Sequence, residues 1–166
     1  MLLKDINGGT PKFETEFKPS QTKDYLIFQF RAMNSSLTSF SNVYNDDIWK
    51  GDVCEVFLAD GKTDTYYEVE VAPNGTLFFG KIHFENGTRI LTKLENKGVS
   101  ARVFQTSDDQ YEVYLAVPKA LFTKEIYYNA FRLETEGQEQ EKNKFALFPT
   151  YCETFHKPEL FQKLDI

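Results

Sequence analysis

Apolar and polar residues alternate along most of this chain, which is the pattern of a β-strand with one buried face. The clearest alternation covers residues 24–31, 53–59, 65–72, 111–117 and 127–135. In the first of these runs, Leu26, Phe28 and Phe30 fall on the same side of the strand. The pattern therefore predicts several strands that each contribute one apolar row to a common core.

Turn sequences separate these runs, and little of the chain has helical periodicity. Asn74-Gly75 and Asp108-Asp109 favour tight turns, and we expect a single helical turn only at residues 118–122. The whole pattern amounts to about nine or ten short strands, which predicts an all-β fold, an antiparallel β-sandwich of jelly-roll type. We expect one domain over residues 1–166, with residues 1–11 as a lead-in.

The runs at residues 53–59 and 65–72 predict a hairpin at the centre of the chain. Alternation assigns three side chains of its first strand to the buried face: Cys54, Val56 and Leu58. The opposite face carries Glu55, Tyr66 and Glu68, which we expect to face solvent. The hairpin is therefore the first place to look for a functional surface.

The charge of the chain excludes some partners. Its net charge is −6 and its pI is about 5.0, whereas nucleic-acid binding normally requires a basic surface. An acidic surface also disfavours anionic membranes, and no apolar run approaches the ~20 residues of a spanning helix. We therefore expect neither nucleic acid nor a membrane as a partner.

The compartment remains open at this point. The N-terminal sequence MLLKDINGG lacks the apolar core of a secretory signal, so we expect a cytoplasmic protein if the chain is complete and an extracellular one if it is a processed fragment. Cys54 lies in a strand that should be buried, and its pairing with Cys152 depends on a geometry that sequence does not give.

An acidic turn precedes the hairpin and is a candidate metal site. Asp46, Asp47 and Asp52 offer the oxygen ligands that calcium prefers, although their spacing does not match an EF-hand loop. A solvated acidic turn is the simpler explanation. With two histidines in the chain, a zinc site is not expected.

Catalysis by carboxylates is a second possibility. Glu55, Glu68 and Glu70 lie on neighbouring predicted strands, where a pair of them can in principle serve as glycosidase acids. Glutamate is also common on the exposed face of a sheet, and no nucleophile motif of the G-x-S-x-G type is present. We therefore expect a non-catalytic protein.

The residues left over suit a sugar-binding face. Sugars stack their C–H faces on aromatic rings and exchange hydrogen bonds with charged side chains. The candidate ligand-binding residues are Trp49, Glu55, Tyr66, Glu68, Lys81, Arg102 and Tyr151. Composition alone favours the simpler interpretation, in which Trp49 is a half-buried core residue and the charges are ordinary sheet surface.

The central segment resembles a known family. The run IWKGDVCEVFLADGKTDTYYEVEVAPNGTLF and the C-terminal run FPTYCETFHKPELFQKL resemble the carbohydrate-binding modules of family nine and the wider DOMON-like superfamily of β-sandwiches. The resemblance extends over residues 24–166. It implies a β-sandwich, sugar binding without catalysis and a structural role for any calcium.

The resemblance also assigns roles to single residues. Trp49 matches the first of two aromatic residues that clamp a terminal sugar, and Glu55 matches the acidic residue that follows it. Where the family has its second clamp residue, this chain has Leu147-Phe148, so Phe148 or Tyr151 is expected to take that place.

The sequence therefore predicts a non-catalytic domain that binds the end of a mono- or oligosaccharide. The alternative is a sandwich that has lost its sugar site and binds another protein through exposed aromatic residues. A glycan-processing enzyme is the third hypothesis. The identity of the sugar and the oligomeric state remain open.

Overall fold

A computed structural model describes residues 1–34, 36–136 and 141–166, and these form an almost entirely β structure. The prediction of an antiparallel β-sandwich is confirmed, with twelve strands in the described residues instead of nine or ten. The strands are β1 (Lys4–Asp5), β2 (Thr15–Gln21), β3 (Tyr25–Met33), β4 (Val53–Asp60), β5 (Tyr66–Val71), β6 (Leu77–Glu85), β7 (Thr88–Lys93), β8 (Ser100–Ser107), β9 (Gln110–Pro118), β10 (Ile126–Glu136), β11 (Glu141–Ala146) and β12 (Gln162–Lys163).

These strands form two antiparallel sheets. The larger sheet has the order β1-β11-β10-β4-β5-β6-β7, with β12 paired to β10, and the smaller has the order β2-β3-β9-β8. Single-turn 3₁₀ helices lie at Ile48–Lys50, Lys119–Leu121 and Pro158–Leu160, so the helical turn predicted at residues 118–122 is confirmed. No helix in the described ranges is long and apolar enough to cross a membrane.

The main core lies between the two sheets and follows the predicted alternation. Leu26, Phe28 and Phe30 of the smaller sheet meet a row from the larger sheet that includes Val56 and Val69. Each of these side chains is at most 2% exposed. The smaller sheet adds a second row on β9, which consists of Val113, Leu115 and Val117.

A second apolar layer covers the other face of the larger sheet. Phe57 and Tyr66 pack there against Phe161 from the C-terminal segment, and Phe131 packs against Phe155. The larger sheet is therefore covered on both faces, and a side chain that points away from the sandwich core does not necessarily face solvent.

A charged side chain lies inside the sandwich. Arg132 is fully buried and donates hydrogen bonds to the Thr15 hydroxyl, the Met33 carbonyl and the Asn34 side chain.

Cys54 and Cys152 are both free thiols. The N-terminal residues are more than a lead-in, because Leu3 is buried in the main core and β1 pairs with β11.

Candidate functional site

The larger sheet carries a cleft of about 380 Å³ on the face turned away from the main core. Strands β4 to β7 form its base, and the register of these strands explains which side chains enter it. Glu55 lies opposite Glu70, and Ile82 lies opposite Leu91, so that all four side chains point to the same face and line the cleft.

Three glutamates form the floor of this cleft: Glu55, Glu68 and Glu70. One carboxylate oxygen from each lies within 4.8 Å of the others, and the residues are 3%, 7% and 2% exposed. Burial raises the pKa of all three carboxyl groups, that of Glu68 to about 7, and mutual repulsion raises the pKa values of Glu55 and Glu70 further. The floor is thus a crowded, partly desolvated acidic cluster.

Trp49 borders the cleft from the single-turn helix Ile48–Lys50. Its neighbour Ile48 is fully buried and anchors this helix, whereas Trp49 itself is 47% exposed. The indole ring therefore lies at the entrance with much of its surface accessible to a ligand. Trp49 is half exposed and belongs to none of the apolar core clusters of the described residues, so a role as core anchor is not favoured.

The C-terminal segment forms another side of the cleft with Phe155 and His156. The ring of Phe155 stacks on Phe131 with centroids 4.4 Å apart. His156 stacks on Phe57 and forms a 2.8 Å hydrogen bond between its Nδ1 atom and the Tyr66 hydroxyl. Burial lowers the pKa of His156 to about 3, so this imidazole is neutral at physiological pH.

Ion pairs neutralise the acidic groups at the edge of the cleft. Asp47 lies 3.1 Å from Lys50 and 3.4 Å from Lys93, and Glu153 lies 2.9 Å from Lys144. The exposed Arg89 also lines the cleft, and its positive charge lowers the pKa of Glu68.

Of the predicted ligand-binding residues, the structure brings Trp49, Glu55 and Glu68 together in this cleft. The expectation that the two glutamates face solvent is wrong, because the helix and the C-terminal segment cover the sheet around them. Glu55 and Glu68 are 3% and 7% exposed, and both line the cleft.

Tyr66 is also buried, contrary to the expectation of an exposed ring. Tyr66 is 1% exposed, because Phe161 packs edge-on against its ring and His156 forms a hydrogen bond with its hydroxyl group. Tyr66 packs beside Phe57 and His156 next to the cleft and is not part of its lining.

Lys81 and Arg102 lie elsewhere. Lys81 pairs with Tyr67, whose ring packs toward the main core, so Lys81 lies on the opposite face of the sheet from the cleft. Lys81 was expected on the sugar-binding face, and the adjacent Phe78 and Phe79 make the alternation of this strand ambiguous. Arg102 is exposed on β8 of the smaller sheet, where it pairs with Tyr114.

The two candidates for a second clamp residue also lie outside the cleft. Tyr151 is 70% exposed, and its ring lies near Gly8. Phe148 packs edge-on against Tyr128 beside the main core. The aromatic residues that the C-terminal segment contributes to the cleft are Phe155 and His156.

The three aspartates predicted to bind calcium do not converge. Asp52 is fully buried, and its carboxylate accepts backbone N–H bonds from Thr38 and Thr135 at 2.7 and 2.6 Å. Asp47 forms ion pairs with Lys50 and Lys93, and the Asp46 carboxylate accepts a hydrogen bond from the backbone N–H of Asp47. Within the described part of the chain, the group of acidic side chains close enough to hold one ion is instead Glu55, Glu68 and Glu70.

Sequence reasoning missed Arg89 and Leu91 because it did not recognise β7. The signal was present, since Asn86-Gly87 is a good hairpin turn and the run TRILTK follows it. Phe155 and His156 lie in the C-terminal run that resembles the family, but their place on the sheet was not predictable because it depends on packing between distant parts of the chain.

The sequence matches a known family. The sequence model of carbohydrate-binding family 9 matches residues 8–131, most of the chain. A relative from Arthroderma benhamiae, named only as an extracellular protein, is 33% identical over 79 residues, which cover 45% of this chain. The same match covers 36% of the relative, so the chain spans about a third of its length.

Solved structures share the fold. A protein from Bacteroides uniformis that is proposed to bind carbohydrate superposes with a TM-score of 0.78 at 16% identity, over 98% of this chain and 84% of that one. A family 9 module from Caldicellulosiruptor kristjanssonii superposes at 12% identity in two complexes. The TM-score is 0.63 with glucose and 0.62 with cellotriose, over 97% of this chain and 80% and 78% of that one. Given the match over residues 8–131, this chain belongs to carbohydrate-binding family 9.

Proposed function

We propose that this protein binds the terminal sugar of a carbohydrate in the cleft, without catalysing a reaction. The observation that carries the proposal is the half-exposed ring of Trp49 beside a cleft with an acidic floor. A pyranose presents a C–H face, on which an aromatic ring can stack. It also presents a rim of hydroxyl groups, which can donate hydrogen bonds to carboxylates.

The stacking part of the proposal rests on Trp49. An exposed indole offers a flat apolar surface of low conformational entropy, and burial of such a ring against a ligand contributes about 1.5–3 kcal/mol. No other tryptophan is present in the sequence, so this contribution has one source.

The polar part rests on the floor. Sugar hydroxyls are hydrogen-bond donors, and the carboxylates of Glu55 and Glu68 are acceptors that lose water when the cleft fills. Arg89 can donate to a ring or hydroxyl oxygen in return. The cleft volume of about 380 Å³ lies near the lower end of small-molecule sites, which favours a terminal sugar over a long glycan segment.

The structures of related fold add support. The module from Caldicellulosiruptor kristjanssonii was solved with glucose and with cellotriose, a monosaccharide and a short chain. Glucose and cellotriose are therefore the first ligands to test for this protein.

The test is isothermal titration calorimetry, in which the wild-type protein and Trp49→Ala are each titrated with glucose and with cellotriose. We expect the variant to bind about 10- to 100-fold more weakly, since 1.4 kcal/mol corresponds to a factor of ten. Its thermal unfolding should remain close to that of the wild type, because the ring is half exposed.

Phe104→Ala is the matched control. Phe104 is also an exposed aromatic residue, at 51%, but it lies on β8 of the smaller sheet. If Phe104→Ala weakens sugar binding and Trp49→Ala does not, the binding site lies on the smaller sheet and the proposal is wrong.

A further inference from the structure

One oxygen in the cleft floor lacks a hydrogen-bond partner. Oε2 of Glu70 is buried and unpaired, and it is one of two such side-chain polar atoms in the part of the chain that the structure describes. Glu70 as a whole is 2% exposed and lines the cleft. A buried oxygen with no donor is unfavourable unless a ligand supplies what the protein does not.

The charges around this oxygen define what that ligand needs. The edge residues Asp47 and Glu153 are already neutralised by lysines, as described above. The floor itself carries three carboxylates, and Arg89 is the basic residue of the cleft lining besides Lys144, which pairs with Glu153. Three negative charges against one positive charge leave an excess of two when the floor is ionised.

We propose that Glu55, Glu68 and Glu70 bind one divalent cation of the calcium type at the floor of the cleft. One oxygen from each carboxylate lies within 4.8 Å of the others, which is about twice the 2.3–2.6 Å length of a calcium–oxygen bond. A single ion can therefore contact all three, and it would supply the missing partner of Glu70.

The donor set favours calcium over other metals. All three ligands are carboxylates, which are hard oxygen donors, whereas zinc and copper prefer nitrogen or sulfur. His156 is the histidine that lines the cleft, and its Nδ1 atom is already hydrogen-bonded to the Tyr66 hydroxyl. Calcium also accepts six to eight ligands in flexible geometry, so the open side of the cleft can complete its shell with water.

The site has a consequence for any ligand in the cleft. An ion on the floor has coordination positions directed into the cleft, and vicinal hydroxyl groups can replace water there. The proposal does not depend on sugar binding, however, because the ion is held by protein side chains and can be measured alone.

The experiment titrates chelator-treated protein with calcium chloride in the absence of sugar. Calorimetry should show one site per chain, and calcium should raise the unfolding temperature. Terbium luminescence excited through Trp49 gives a second readout, because that ring borders the same cleft. No heat, no thermal shift and no luminescence up to about 10 mM metal, beyond the range of weak calcium modules, would overturn the proposal.

Two variants locate the site. Glu70→Gln preserves the size of the side chain and should weaken calcium binding at least tenfold, and Glu55→Gln serves the same purpose if the first variant does not fold. Asp46→Asn is the matched control in the acidic turn and should bind as the wild type does. Loss of binding in Asp46→Asn alone would move the site to that turn and refute the assignment.

Discussion

Asp52 offers a quantitative test of how the cleft is held in place. Its carboxylate joins the segment that follows β3, through the backbone N–H of Thr38, to the end of β10, through the backbone N–H of Thr135. The side-chain amide of Asn34 is a third donor at 3.2 Å. The helix that carries Trp49 ends at Lys50, two residues before Asp52. The hydrogen bonds of Asp52 therefore anchor the C-terminal side of this helix.

The size of the effect follows from these contacts. A hydrogen bond to a charged group contributes about 1.5–3 kcal/mol, so loss of the two short backbone bonds in Asp52→Ala should lower the free energy of unfolding by about 3–6 kcal/mol. That is a large part of the total stability of a typical domain, about 5–15 kcal/mol. Asp52→Asn retains one acceptor oxygen but turns its NH₂ group toward the other N–H, and we expect it to lose about 2–3 kcal/mol.

The assay is urea unfolding followed by Trp49 fluorescence and by far-ultraviolet circular dichroism. Both probes should report the same loss, because the segment and the sheet are joined by this carboxylate. Asp46→Ala is the control in the same acidic turn, where the carboxylate accepts exposed local bonds from the Ser41 side chain and the backbone N–H of Asp47, and it should change stability by less than about 1 kcal/mol. A loss below about 1 kcal/mol in both Asp52 variants would refute the reasoning.

Two further predictions concern buried groups. His156 has a pKa of about 3 in the folded protein, below its ordinary value, so its contribution to stability is complete above pH 6.5 and is lost as the pH falls toward 3. Between pH 7 and pH 5 the wild type should lose about 2 kcal/mol more than His156→Gln in urea unfolding, and an equal loss would contradict the assignment of a neutral imidazole. Arg132→Lys should lower the free energy of unfolding by about 2–4 kcal/mol, because an ammonium group cannot reach Thr15 and Met33 in the planar geometry of the guanidinium. An unchanged unfolding temperature in Arg132→Lys would contradict this prediction and show that the planar guanidinium group is not required for stability.

Much of the sandwich follows from alternation. The inward rows of β4 and β9 were predicted correctly, because a period of two directly assigns each residue to a face. What alternation does not give is the environment of the second face. Glu55 and Tyr66 were assigned to the correct face and were still expected in the wrong environment, because the C-terminal segment that packs on this face is remote in sequence.

The cleft was predictable only in part for the same reason. Trp49 and Glu55 are close in sequence and share a recognisable pattern, and the structure places both in the cleft. Phe155 reaches the same cleft from about a hundred residues away, through its contact with Phe131. The phase of β6 was ambiguous because Phe78 and Phe79 are adjacent and each is buried on a different face.

The division of the larger sheet into a core face and a cleft face makes the protein a practical scaffold for engineering. Trp49, Arg89 and Leu91 are exposed and line the cleft, so they can be randomised together without altering residues such as Val56 and Val69 in the main core. A library limited to these positions would sample new ligand preferences while most members retain the packing that folds the chain.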